Sequence, residues 1–277
     1  MNNLKQYFEN QLITQFPQSE INEIYLLAAE NVFGLPRTEI LLNKNTKITE
    51  NQTKKFENIV ARLKTGEPIQ YILGEAWFYG LKLIVNNSVL IPRPETEELV
   101  EWILSDNQQN AEILDIGTGS GCIAIALAKN NANFRVSALD ISDEALKVAK
   151  KNTELQNVDI QFIKGDILKI PVFEQKFDII VSNPPYIPEN ELINIEQTVK
   201  DFEPHIALFA PQNNPLIFYE KIAQFTKNQL NTNGKLYFEI QRDYSTQVVK
   251  LLNSMNFNNI EVRKDISGNE RMVKYCI

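Results

Sequence analysis

The sequence predicts an α/β fold in which a small helical region precedes a doubly wound, mostly parallel β-sheet. Three observations support this prediction. Before residue 76, apolar residues recur at helical spacing. From residue 111 onward, apolar runs of strand length alternate with helical stretches. The last two strand-like runs, near 259–263 and 272–276, have no helix after them. We therefore expect the chain to end in a hairpin with one strand antiparallel to the rest of the sheet.

Residues 1–75 form the predicted helical domain. Apolar residues at helical spacing occur in several stretches, and segments rich in glycine and proline at 34–36 and 65–68 separate them. Short helices of this kind are expected to pack into a small bundle. Because the bundle carries no catalytic constellation of its own, we assign it to substrate docking.

Residues 76–91 are predicted to form a β-hairpin that links the helical domain to a second domain at 92–277. Two short apolar runs suggest its strands, and Gly80 and Asn86-Asn87 suggest its turns. In the second domain the predicted strands are 112–116, 134–139, 160–163, 177–181 and 235–240, with helices at 121–129 and 142–155.

Composition narrows the class of protein. The chain has 277 residues, of which 43% are hydrophobic and 23% charged, as in an ordinary globular protein. Its net charge of −7 gives no general attraction to phosphate backbones, so no stable nucleic-acid partner is expected. Cys122, Cys276 and His205 are too few and too far apart to suggest disulfides or a metal site. With no signal-like or membrane-spanning run, we expect a cytoplasmic protein without a membrane partner.

A glycine loop marks the first candidate site. Residues 113–121 read ILDIGTGSG, so a strand leads into Gly117, Thr118, Gly119, Ser120 and Gly121 before a helix begins. Glycine permits positive φ and lets a ligand approach the backbone closely. The G-x-G-x-G spacing differs from the dinucleotide pattern G-x-G-x-x-G, which disfavours a dehydrogenase. It resembles the loop of Rossmann-like methyltransferases, which use S-adenosyl-L-methionine.

Two further strand ends supply candidate cofactor contacts. Asp140 ends the second predicted strand, where a carboxylate can accept hydrogen bonds from both ribose hydroxyls. Its alternative role is that of a carboxylate at the start of the next helix, and the nearby glycine loop favours the ribose role. Asp166 and Ile167 follow the third strand. We expect Asp166 to accept from the adenine amine and Ile167 to pack against the ring.

The second candidate site is Asn183-Pro184-Pro185-Tyr186, called the NPPY tetrapeptide below, which follows the fourth predicted strand. An amide nitrogen is a poor nucleophile, so its methylation needs orientation more than a strong base. The Asn183 side-chain oxygen and the Pro184 carbonyl can accept both N–H bonds of a planar –NH2 group. Prolines fix φ and add no competing donor, and Tyr186 can stack on the planar group. A rigid turn is the alternative, which the accompanying glycine loop and Asp140 disfavour.

Three segments of the chain resemble the peptide chain release factor glutamine methyltransferases: 66–74 (GEPIQYILG) with 78–80 (FYG), 89–97 (VLIPRPETE) and 183–187 (NPPYI). The resemblance runs from about residue 20 to the C-terminus and implies a class I methyltransferase sheet behind a helical domain. It implies transfer of a methyl group from S-adenosyl-L-methionine to the glutamine of the Gly-Gly-Gln motif in class 1 release factors, leaving S-adenosyl-L-homocysteine. It also implies that the loop at 117–121, Asp140, Ile167 and Asn183 bind the cofactor, that the NPPY tetrapeptide binds the glutamine, and that the enzyme is a monomer.

The sequence allows more than one role for Arg93 and more than one substrate. Pro92-Arg93-Pro94 is a stiff segment that leads into a helix, and its prolines suit a linker with a helix cap. Because a cap does not explain the arginine, we expect Arg93 to line the substrate cleft. The same tetrapeptide would serve an enzyme that methylates a ribosomal-protein glutamine, or a DNA adenine or RNA guanine methyltransferase, which the acidic charge disfavours. A regulator that binds the cofactor without catalysis is disfavoured by the intact tetrapeptide.

Overall fold

The computed structural model describes residues 2–42, 47–188, 190–191 and 196–276. The chain divides into two compact units, Met1–Gly74 and Glu75–Ile277. Each unit has its own hydrophobic core.

The first unit is helical, as the sequence predicts. Its helices are α1 (Asn2–Leu12), α2 (Gln18–Phe33), α3 (Arg37–Leu42), α4 (Glu50–Leu63) and α5 (Ile69–Leu73). A capping box of Thr49 and Gln52 starts α4, and Gly34 ends α2 in the left-handed conformation. The core of the unit holds Phe8, Tyr25 and Phe56, whose rings lie 5.8–6.2 Å apart.

The second unit begins with a short antiparallel hairpin, β1 (Glu75–Phe78) and β2 (Leu81–Ile84). Tyr79 and Gly80 form its turn, and both have positive φ. The strands stop at residue 84, so Val89 and Leu90 lie outside the hairpin. Two side-chain bonds from Asn152 of helix α8 (Asp143–Gln156) hold the Ile84 backbone, which explains how so short a hairpin is kept in place.

The remaining chain forms a seven-stranded sheet with the order β10-β11-β9-β6-β3-β4-β5. The five parallel strands are β3 (Ala111–Ile116), β4 (Phe134–Asp140), β5 (Ile160–Lys164), β6 (Phe177–Ser182) and β9 (Leu230–Glu239). The last two strands, β10 (Ile260–Lys264) and β11 (Glu270–Cys276), form a hairpin, and β11 runs antiparallel to β9. The predicted fold class is confirmed.

Helices cover both faces of the sheet, which explains why the parallel strands are apolar on both sides. The long helices are α6 (Pro94–Asp106), α7 (Cys122–Asn130), α8, α11 (Ile217–Gln229) and α12 (Ser245–Ser254). Shorter pieces are the 3₁₀ turn Ile167–Lys169, β7 (Ile187–Pro188), α9 (Gln197–Phe202), α10 (His205–Leu208) and β8 (Phe209–Ala210). One core cluster includes α6 and α7, and the other includes α11 and α12. None of the helices in the described ranges is both long and apolar enough to cross a membrane.

Candidate active site

The carboxyl ends of β3, β4 and β6 meet where the strand order reverses. In sheets of this kind ligands bind at that edge, and here it carries a cavity of about 250 Å³, enough for a small molecule rather than a lone ion. The predicted site residues that line the cavity are Gly117, Gly119, Asp140, Asp166, Ile167, Asn183, Pro184 and Pro185. Residues far apart in the sequence, from four strand ends, are therefore brought together.

Gly117 and Gly119 form the part of the glycine loop that faces the cavity. Their φ values are +74° and +56°, which side chains other than glycine rarely tolerate. No atom lies within 4 Å of the position that a Cβ would occupy on either residue. Both the Gly117 and Thr118 N–H groups donate to the Leu139 carbonyl, at 2.8 and 3.1 Å, which fixes the loop against β4.

The other loop residues face the protein. A Cβ on Gly121 would lie 3.0 Å from Ile125 and 3.2 Å from Ala149, so this glycine lets α7 and α8 pack closely. The Thr118 hydroxyl donates to the Asp115 carboxylate at 2.6 Å. Ser120 is buried, and its carbonyl accepts from Asn152 at 2.9 Å. The cavity lining therefore does not include Thr118, Ser120 or Gly121, whose contacts hold the loop against the rest of the protein.

Asp115 and Asp140 are two buried carboxyls on this side of the site. Burial raises the pKa of Asp115 to about 7, while the bond from Thr118 opposes the shift. Burial also raises the pKa of Asp140, against hydrogen bonds from Ser142, Gly119 and Ile141. The Asp140 oxygens accept from the Gly119 and Ser142 N–H groups, each at 2.9 Å. The Ser142 hydroxyl, rather than Asp140, caps α8 by accepting from Ala145.

Asp166 and Ile167 line the cavity beyond β5. An Asp166 oxygen accepts from the Leu168 N–H at 3.0 Å and caps the 3₁₀ turn. Ile167 is 8% exposed and packs into the second core cluster. Asp166 therefore has a local structural role in addition to its position at the cavity.

The NPPY tetrapeptide follows β6 at the opposite side of the cavity. The Ser182 hydroxyl donates to the Ile116 carbonyl at 2.7 Å, which ties the end of β6 to the end of β3. Asn183, Pro184 and Pro185 line the cavity. Tyr186 is not a lining residue; it packs against the second core cluster, and burial raises the pKa of its hydroxyl, which stays neutral.

A row of hydrogen-bonded side chains, which the sequence did not reveal, lies beneath the tetrapeptide and runs from Asn183 through Thr96 to Glu239. The Asn183 side-chain nitrogen donates to the Thr96 hydroxyl at 3.3 Å, and that hydroxyl donates to the Glu239 carboxylate at 2.6 Å. Thr96 and Glu239 are 2% and 1% exposed. Glu239 is the last residue of the apolar strand β9, and a carboxyl at the carboxyl end of a buried strand is the signal that could have revealed it.

Arg93 pairs with Glu203 at 2.5 Å and is not among the residues that line the cavity. The Glu203 side chain is 1% exposed and also accepts from the Ile91 N–H at 3.4 Å. This pair explains the arginine that a helix cap does not. From the neighbouring segment, Ser88, Val89 and Leu90 line the cavity instead, together with Ile206 and Ala207. Neither group was predicted to line the cavity: Val89 and Leu90 begin the segment 89–97 that resembles the family, but their apolar side chains carry no chemical signal of a binding site.

The lining of the cavity suits an organic ligand with hydroxyl groups better than a metal ion. Within the described residues, no group of three or more His, Cys, Asp and Glu side chains could hold a metal ion. The open space beside Gly117 and Gly119 and the Asp140 carboxylate provide backbone access and a hydroxyl acceptor in one cavity. An orientable amide lies across from them at Asn183.

Comparison with known proteins agrees with this geometry. The methyltransferase small domain family model matches residues 95–200, and the PrmC N-terminal domain model matches residues 4–74. A methyltransferase structure from Pyrococcus furiosus has a TM-score of 0.53 at 19% identity, over 78% of this chain and 96% of that one, which supports the fold alone.

Two curated relatives match nearly the whole chain. The release factor glutamine methyltransferase of Flavobacterium psychrophilum is 46% identical over 98% of this chain and 97% of its own length. The protein of the same name from Bacteroides thetaiotaomicron is 40% identical over 99% of each chain. With its PrmC-type N-terminal unit and its methyltransferase domain, the chain therefore belongs to the release factor glutamine methyltransferase family.

Proposed function

We propose that this protein methylates the side-chain amide nitrogen of the glutamine in the Gly-Gly-Gln motif of class 1 peptide chain release factors. The methyl donor is S-adenosyl-L-methionine. The observation that carries the proposal is that Asn183 and Pro184 open into the same cavity as Gly117, Gly119 and Asp140. Family membership narrows the substrate from a planar nitrogen to a release factor glutamine.

The cofactor side of the site is the glycine loop with Asp140, Asp166 and Ile167. We assign Asp140 to the ribose hydroxyls, because it lines the cavity beside Gly117 and Gly119 and its carboxylate has more acceptor sites than the backbone N–H groups that bind it. Asp166 and Ile167 border the adenine. Thr118, Ser120 and Gly121 hold the loop in shape rather than touching the ligand. When bound, S-adenosyl-L-methionine supplies an electrophilic methyl group on a positively charged sulfur.

The substrate side of the site is the NPPY tetrapeptide. The Asn183 side-chain oxygen and the Pro184 carbonyl accept the two N–H bonds of the substrate amide and point its nitrogen at the methyl group. Orientation of this kind can supply much of the rate enhancement, since the leaving group is already activated. Tyr186 supports the tetrapeptide from the core side. Stacking on the amide requires its ring to reach the cavity, which Tyr186 does not line in this structure.

The helical unit 1–74 matches the PrmC N-terminal domain, and we assign it to binding the protein substrate. Release factors work in the cytoplasm, so we place the enzyme there. We further propose that it is a monomer without a membrane partner or a stable nucleic-acid partner.

The test is incubation of the full chain with isotope-labelled S-adenosyl-L-methionine and three separate acceptors: a class 1 release factor, ribosomal protein and DNA. We expect label in the release factor alone. Label in ribosomal protein instead would replace the proposed substrate with a second glutamine, and label in DNA would overturn the assignment to protein. A release factor with the Gly-Gly-Gln glutamine changed to alanine is the matched negative control.

A further inference from the structure

Thr96 and Glu239 are buried beneath Asn183, where little water can reach them to replace a missing hydrogen bond. Thr96 and Glu239 are 2% and 1% exposed. Buried polar groups need partners, and an unpaired one costs about 1–3 kcal/mol. The three side chains must therefore satisfy one another, and the direction of each hydrogen bond constrains the next.

The Thr96 hydroxyl sets that direction, because it has one hydrogen to donate. An ionised carboxylate can only accept, so the 2.6 Å bond between Thr96 and Glu239 uses the hydroxyl hydrogen. Thr96 is left with a lone pair toward Asn183. The Asn183 nitrogen donates to it at 3.3 Å, which leaves the amide oxygen as the atom available to the cavity.

We propose that Glu239, acting through Thr96 and through its own hydrogen bond from Asn183, is a positioning residue that orients the Asn183 amide so that its oxygen, not its nitrogen, meets the substrate. This inference rests on the proposed function, because only a substrate –NH2 group requires an acceptor there. An Asn183 amide turned the other way would set two donors against each other and hold no substrate nitrogen.

Ionisation of Glu239 controls the arrangement. A protonated Glu239 can donate to Thr96, whose hydrogen then turns toward Asn183 and favours the reversed amide. Burial raises the pKa of Glu239 to about 7, opposed by the bonds from Thr96 and Asn183 and by the Arg271 charge on β11. Glu95 on α6 adds to the rise.

The other titratable groups near Glu239 stay neutral. Tyr186 and Tyr219 are influenced by its charge, and burial raises the pKa of both hydroxyls. Cys122 on α7 has its pKa raised to about 12 by burial, with a smaller contribution from Glu239. Among the groups that contact Thr96, Glu239 is therefore the one that changes charge near neutral pH. Burial also raises the pKa of Asp115 to about 7, but Asp115 lies under the glycine loop and should titrate alike in the wild type and in Glu239→Gln.

Three variants test the role. Glu239→Gln keeps the shape but can donate to Thr96, and Thr96→Val removes the hydroxyl. We expect each to lower kcat at saturating cofactor by about tenfold or more, as for loss of one transition-state hydrogen bond. Thr96→Ser retains the hydroxyl that Thr96→Val removes, and it should keep kcat within about threefold of wild type. Glu112→Gln, at the far end of β3 in a surface pair with Arg135, is the control and should leave kcat unchanged.

The pH profile separates positioning from mere packing. In the wild type, kcat at saturating cofactor should rise with pH through one ionisation near pH 7, and this step should be absent from Glu239→Gln. Equal kcat and an equal pH profile in the two proteins would overturn the inference, as would a Thr96→Ser variant as impaired as Thr96→Val.

A readout without substrate keeps this inference separate from the proposed function. The side-chain amide signals of Asn183, assigned in ¹⁵N-labelled protein by their loss in Asn183→Ala, should shift near pH 7 in the wild type and not in Glu239→Gln. If they do so while no release factor is methylated, the proposed substrate is wrong and the positioning role stands. If the Asn183 amide signals do not change with pH, or shift alike in the wild type and in Glu239→Gln, the role of Glu239 is refuted whatever the substrate is.

Discussion

Two buried pairs of threonine and carboxylate support the two sides of the cavity, and they are built in opposite ways. Thr118 donates to Asp115 under the glycine loop, and Thr96 donates to Glu239 under the NPPY tetrapeptide, each at 2.6 Å. The first pair is separated by 3 residues and the second by 143. The support of the glycine loop is thus local to one short segment, whereas the support of the tetrapeptide exists only once three distant segments have met.

The two sides of the cavity also have different expected roles in binding and in catalysis. On the cofactor side the ligand is met mainly by backbone and by Asp140, so changes there should alter binding. On the substrate side the substrate nitrogen meets the Asn183 amide, whose orientation matters, so changes there should alter the rate of methyl transfer. The predictions below separate these two consequences, starting with the largest expected effect.

Asn183→Ala should lower kcat by at least about 10³-fold, because it removes the acceptor that orients the substrate nitrogen. Cofactor affinity should change by no more than about threefold, since one contact of several is lost. Single-turnover transfer to a release factor and calorimetry with S-adenosyl-L-homocysteine measure the two quantities. Asn133→Ala, an exposed asparagine between α7 and β4, is the control. Near-normal turnover in Asn183→Ala would remove the distinction between the two sides.

Asp140→Ala should weaken cofactor binding by about 10–100-fold, because two hydrogen bonds that the ribose hydroxyls donate to a buried carboxylate are lost. Once the cofactor is saturating, kcat should recover most of its wild-type value. Asp166→Ala provides a comparison, because Asp166 also lines the cavity, but its place beside the adenine offers one hydrogen bond rather than two, so the loss of affinity should be smaller, about three- to tenfold. Calorimetry on both variants decides which aspartate binds the ribose; unchanged affinity in Asp140→Ala would remove it from that role.

Glu239→Gln should stabilise the protein above pH 7. A carboxyl whose folded pKa is raised contributes stability below its ordinary pKa, and that contribution is lost as pH rises through the folded pKa. For Glu239 this window runs from 4.5 to about 7. Urea unfolding of the full chain should show a gain for Glu239→Gln at pH 8 on the order of 1–3 kcal/mol. A variant less stable than wild type at pH 8 would mean that the carboxylate is a net stabiliser.

Arg93→Ala should mainly affect stability. It removes the cation that pairs with the buried Glu203, which keeps the 3.4 Å bond from Ile91, and because Arg93 is about a third exposed the cost is limited to about 1–3 kcal/mol. At a temperature where the variant is folded, kcat should stay within about threefold of wild type. A large rise in KM for the release factor at unchanged stability would instead extend the substrate side of the cavity to Arg93.

The sequence predicted features that depend on neighbours along the chain. Alternating apolar runs predicted the sheet, and the segment 113–121 predicted a loop whose Gly117 and Gly119 do face a cavity. It could not show which glycines face the ligand and which permit helix packing, because Gly121 differs only in what lies beside it. The partners of Arg93 and Thr96 lie 110 and 143 residues away, so their bonds appear only after the strands are arranged.

The most direct measurement is mass spectrometry of a class 1 release factor after reaction with the wild type and with Asn183→Ala. We expect one methyl group on the side-chain amide of the Gly-Gly-Gln glutamine with the wild type, and none with Asn183→Ala although that variant still binds S-adenosyl-L-homocysteine. A methyl group on any other residue, or equal methylation by the two proteins, would contradict the conclusion that the tetrapeptide orients a release factor glutamine for transfer.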